Sequence, residues 1–181
     1  MHEYAITIIG HDRPGIIAQA TEILAGQGLN LTDSSMTRLR GHFAMTLVCA
    51  GDARIDQVER ALAPMAGSAM LAGSAGGSSL VVTVRRLGPE PEPEPTGGPF
   101  VLSLHGADRL GIVAAVTRVL ADAGGNITDL TTRLAGELYV LLVELDLPST
   151  VEIEALTARL SEVAQTLGVE ATLRPADADL L

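Results

Sequence analysis

The chain has 181 residues, 47% hydrophobic but only 2% aromatic, with a formal net charge of −10. An excess of acid this large argues against a nucleic-acid footprint or docking on an anionic membrane, since both need a basic face. Cys49 is the single cysteine, so neither an internal disulfide framework nor a cysteine-rich metal site is available.

The first strand is read from alternation at Tyr4, Ile6 and Ile8. Met1 to Ile9 carries no positive n-region, so no signal peptide is expected, and the chain reads as soluble and cytoplasmic. After a turn, Ile16, Ile17, Ala20, Ile23 and Leu24 recur at helical spacing, with Gly26 to Gly28 as the stop. Two strands follow around a turn at Gly41. A second helix then carries Ile55, Val58, Leu62 and Met65, and Pro64 should kink or end it. Gly67 to Ser79 reads as a mobile loop, and Leu80 to Arg86 as a closing strand.

Residues 88–99 alternate Pro and Glu and end in Gly-Gly-Pro. Such a segment favours an extended polyproline-like spacer. Beyond it the first pattern returns. Phe100, Leu102 and Leu104 alternate, and Ile112, Val113, Val116, Val119 and Leu120 form a helical stripe ending at Gly124–Gly125. Next come two strands turning at Gly136, then a helix with Ile153, Leu156, Leu160, Val163 and Leu167, and a strand from Val169 to Arg174. Ser149 and Glu152 fit a capping box before that helix.

The two halves are one sequence repeated. Gly10-His-Asp-Arg-Pro-Gly15-Ile-Ile-Ala18 matches Gly106-Ala-Asp-Arg-Leu-Gly111-Ile-Val-Ala114 at an offset of 96 residues. Gly28-Leu-Asn-Leu-Thr-Asp33 matches Gly124-Gly-Asn-Ile-Thr-Asp129 at the same offset. One residue then drops out if Arg38-Leu-Arg-Gly41 is set against Arg133-Leu-Ala-Gly136. The expected organisation is a first domain at 1–87, a linker at 88–99, a second domain at 100–175 and a tail at 176–181. The order βαββαβ, twice, gives an α+β class. Each copy is a ferredoxin-like domain with a four-stranded antiparallel sheet and two helices on one face.

The segment with chemical content is the turn between first strand and first helix. Asp12 or Asp108 is placed to cap the helix, and Gly15 or Gly111 lets another group approach the backbone closely. The helix N–H groups at Ile16 and Ile112 would then meet a carboxylate. Asn30 and Asn126, at the start of the second strand, supply amide donors and acceptors suited to a zwitterion. In the second copy, Leu138, Val140 and Leu142 alternate with Tyr139, Leu141 and Val143, so both faces of that strand are apolar. The face away from the helices should therefore be covered, by the sister domain or by a second subunit in a homodimer.

At these residues the chain resembles ACT domains. The turns Asp12-Arg-Pro-Gly15 and Asp108-Arg-Leu-Gly111, each followed by an asparagine, carry the resemblance. The tandem arrangement is similar to the glycine cleavage system transcriptional repressor group. The resemblance implies a small effector, often an amino acid, bound where two domains meet, and no cofactor. By the same resemblance the loop at Asp12–Gly15 would meet the second-strand start of a partner copy, and Asp108–Gly111 likewise.

No nucleophile, acid/base pair or metal cluster stands out, so the chain reads as a non-enzyme. Asp177-Ala-Asp179 lies in a short polar tail, and the four histidines lack the spacing of a helical metal pair. The expected partners are an amino-acid effector and a protein such as a transcription factor or an enzyme, without direct nucleic-acid contact. The alternative is a pure protein–protein interaction module with no small ligand.

Overall fold

The computed structural model describes residues 1–66, 80–88 and 97–176. The loop expected at 67–79, the linker at 89–96 and residues 177–181 of the tail lie outside the described residues. The chain divides into two compact units, Met1–Pro91 and Glu92–Leu181.

The first unit runs β1 (His2–His11), α1 (Ile16–Gly26), β2 (Asn30–Leu39), β3 (His42–Gly51), α2 (Ile55–Leu62), a 3₁₀ turn (Ala63–Ala66) and β4 (Val81–Leu87). Its sheet is antiparallel in the order β2-β3-β1-β4. The second unit repeats this with β5 (Gly97–Ala107), α3 (Ile112–Asp122), β6 (Asn126–Ala135), β7 (Leu138–Pro148), α4 (Ile153–Leu167) and β8 (Val169–Pro175), in the order β6-β7-β5-β8. Both are ferredoxin-like βαββαβ units.

Strand alternation sends one face of each sheet into a core. Tyr4, Ile6 and Ile8 of β1, with Phe43, Met45, Leu47 and Cys49 of β3, pack on Ile16, Ala20 and Leu24 of α1 and on Val58 and Leu62 of α2. Leu102 and Leu104, with Leu141, Val143, Leu145 and Leu147, do the same beneath α3 and α4. Both cores are almost wholly aliphatic, and no polar or charged residue is buried among the described residues. Burial pushes the Cys49 thiol up, and its side chain sits in the core as a small apolar group.

Pro64 ends α2, one of the two outcomes expected of it, and the chain continues as the 3₁₀ segment. Three local expectations change. The capping box at Ser149 and Glu152 does not form: Glu152 is itself the N-cap of α4 and makes no side-chain cap bond. Gly97, Gly98 and Pro99, read as linker, open β5 instead, opposite Pro148, Leu147 and Asp146. A Cβ at Gly97 would lie 1.5 Å from the Leu147 carbonyl oxygen, so only glycine lets the strand begin there.

The third change concerns register. His11 faces His42 and Ala107 faces Leu138, while Leu39 faces His42 and Ala135 faces Leu138. The offset of 96 therefore holds through the hairpin, with no residue lost. Even the bulge recurs, between Leu31 and Asp33 and between Ile127 and Asp129. Arg38 is equivalent to Leu134, not to Arg133. The hairpin backbones differ at the turn: Arg40 and Gly41 both take positive φ (49° and 84°), whereas in the second Gly136 does so at the first turn position (65°).

Candidate functional site

In each unit the first strand ends just before the aspartate, and the first helix begins four residues after it. Gly15 (φ 87°, ψ 0°) and Gly111 (φ 91°, ψ 1°) are the N-caps, both left-handed. An L side chain there costs about 1–2 kcal/mol, which is the local reason for glycine. The space beside both is open: an added Cβ would meet nothing within 4 Å.

Neither Asp12 nor Asp108 caps its helix, because the N-cap position falls on the glycine and no side-chain cap bond forms. The first intrahelical bonds run from Gln19 N–H to Gly15 O and from Ala115 N–H to Gly111 O, each 2.9 Å. The N–H groups of Ile16, Ile17 and Ala18, and of Ile112, Val113 and Ala114, thus precede the helical ladder. Neither helix has an acidic residue in its first turn, so the positive end of the dipole is not offset from within. Ile16 and Ile112 bury their side chains and contribute only backbone to this end.

Asp12 instead accepts a hydrogen bond from Arg38 Nη1 at 3.3 Å, with both side chains partly exposed. Its own N–H donates to Gly41 O at 3.0 Å and ties the turn to the β2–β3 hairpin. Arg133 donates to the Thr132 carbonyl at 3.1 Å. Around the second turn, Asp108, Arg109, Leu110, Gly111, Val113 and Tyr139 line an open cavity of about 510 Å³.

Asn30 and Asn126 are exposed and open β2 and β6. Asn30 lies opposite Ala50, which lies opposite Glu3 at the far end of β1. At ~3.3 Å per residue the asparagine and the Asp12 turn are about 30 Å apart within a unit. Neither unit brings its asparagine to its own turn. Among the described residues no group of three or more His, Cys, Asp or Glu is placed to hold a metal, and no helix is long and apolar enough to cross a membrane.

Two βαββαβ units with matched turns and matched bulges set the frame for comparison with known proteins. The ACT domain family profile matches residues 3–71 and 99–174, one segment in each unit. The chain belongs to the ACT-domain family. One half resembles a UPF0237 protein of Methanocaldococcus jannaschii, 31% identical over 78 residues, which cover 42% of this chain and 87% of that protein. The tandem ACT fold as a whole is matched by an unknown protein from Galdieria sulphuraria, with a TM-score of 0.80, 26% identity and coverage of 97% and 99% of the two chains. It is matched too by a protein provisionally described as a glycine cleavage system transcriptional repressor (TM-score 0.69, 18% identity, coverage 97% and 98%). At that identity the likeness is one of fold.

Proposed function

We propose that this tandem ACT-domain protein is a non-catalytic regulator that binds a free amino acid, glycine or serine in the first instance, and signals to a protein partner. The observation that carries the reading is the duplicated turn. Twice, a left-handed glycine opens unpaired helix N–H groups to free space beside an aspartate. The effector carboxylate would meet the backbone at Gly15–Ile16 or Gly111–Ile112, and its ammonium would meet Asp12 or Asp108.

Asn30 and Asn126 join the site only across two ACT domains. β2 and β6 are edge strands, and antiparallel pairing of two such edges sets the start of one beside the end of the other. A second copy of the chain would thereby bring its asparagine towards the turn that its own unit leaves about 30 Å away. Binding would shift the balance between domain arrangements in proportion to its preference for one of them. Transcriptional control of glycine or serine metabolism, in the cytoplasm, is part of this proposal, and a protein provisionally described as a glycine cleavage system transcriptional repressor shares the fold.

The test is a thermal-shift screen of the full chain against the twenty amino acids, followed by calorimetry. A ligand at a hundred times its Kd adds about 2.7 kcal/mol to stability. The expected result is saturable stabilisation that Gly15→Asn with Gly111→Asn abolishes, asparagine being tolerant of the left-handed conformation. A flat screen on well-folded protein would favour the interaction module. One observation favours that second reading: Leu31, Met36 and Leu39 on the edge strand β2 are 40–53% exposed, which suits pairing with another chain.

A further inference from the structure

The corrected register alters the chemistry around the two turns. On the helix side of the first sheet, Arg38 stands beside Phe43 and reaches Asp12. The equivalent position in the second unit is Leu134, beside Tyr139. Pro14 becomes Leu110, whose side chain is entirely in solvent at 102% relative exposure, and Leu134 is 48% exposed. On the other face the cross-strand pair His11–His42, with ring centroids 4.9 Å apart, becomes Ala107–Leu138. Apart from Phe43, which becomes Tyr139, each of these changes removes a polar or charged group, or adds aliphatic surface, on the second unit's side.

We propose that the two units bind amino acids of different class: the first a small polar one, the second one with an aliphatic or aromatic side chain. This rests on the effector-binding reading above and names what each copy of the site selects. In the first unit Asp12 and Arg38 set opposite charges 3.3 Å apart at partly exposed positions. An exposed pair of this kind contributes little stability, so it can open to a zwitterion's ammonium and carboxylate at small cost. In the second unit the cavity of about 510 Å³ is lined by Asp108 and Arg109 together with Leu110, Val113 and the ring of Tyr139. The size falls within the range of small-molecule sites, and the walls suit a side chain that gains by leaving water. Covering the fully exposed Leu110 with an apolar side chain removes both from water, a gain that a polar side chain does not share.

Calorimetry of the full chain with serine, leucine and phenylalanine tests this, using Arg38→Leu, Leu134→Arg and Leu110→Ser, all at exposed positions. Leu134→Arg and Leu110→Ser should each weaken leucine or phenylalanine binding roughly ten-fold or more while leaving serine unchanged. Arg38→Leu should do the reverse. Amino-acid binding in which neither set of variants alters the preference would overturn the division of specificity and leave the effector reading standing. Absence of binding by any of the twenty amino acids to folded protein would remove the effector reading, and this inference with it.

Discussion

The two units share a backbone and differ in the chemistry set on it. Strand order, bulge position, helix start and glycine conformation repeat at a constant spacing of 96 residues. What changes is the surface at one end: an aspartate–arginine pair and two neighbouring histidines in the first unit, and exposed leucines with an open cavity beside Leu110 in the second. The backbone frame and the turn residues Asp12/Asp108 and Gly15/Gly111 are kept in both copies, while the exposed side chains around the turns have diverged.

Equivalent core positions should respond alike, and this is the largest effect expected. Ile8→Ala and Leu104→Ala remove fully buried side chains at equivalent strand positions, and each should cost about 2–5 kcal/mol in urea unfolding. A loss confined to one unit would break the equivalence. Next come Gly15→Ala and Gly111→Ala, each expected to cost about 1–2 kcal/mol because the strain is conformational and the space beside both glycines is open. A markedly larger cost at one site would mean that its surroundings are not open. Tyr4→Phe gives the first unit the residue found at the equivalent Phe100. It removes the 2.6 Å bond from Tyr4 Oη to Ala53 O and should cost about 1 kcal/mol by the same unfolding assay. Arg38→Leu, which copies the second unit's Leu134, should change stability by less than about 1 kcal/mol. A larger loss would make the Asp12–Arg38 pair a folding element rather than a binding one.

The repeat, both βαββαβ orders and the core faces were legible because period-two and helical patterns report burial directly, as at Ile6 and Leu104 or Ala20 and Val116. The hairpin register was not. The run Arg-Leu-x-Gly occurs in both copies one position apart, and side-chain identity favoured a gap that the backbone does not contain. The deciding quantity is which turn residue takes positive φ, Arg40 and Gly41 in one hairpin and Gly136 in the other. Asp12 was misread for a related reason. An aspartate four residues before a helical stripe looks like a cap, but the left-handed glycine takes the N-cap position itself. The separation of Asn30 from the Asp12 turn follows from topology, since α1 carries the chain back along the sheet before β2 begins.

The central claim is that the duplicated turns are where an amino acid binds. Titration of ¹⁵N-labelled full-length protein with whichever amino acid stabilises it tests this most directly. The account predicts saturable amide shifts at Gly15 to Ala18 or Gly111 to Ala114, together with Asn30 or Asn126. Saturable binding that leaves both turns unmoved would contradict it.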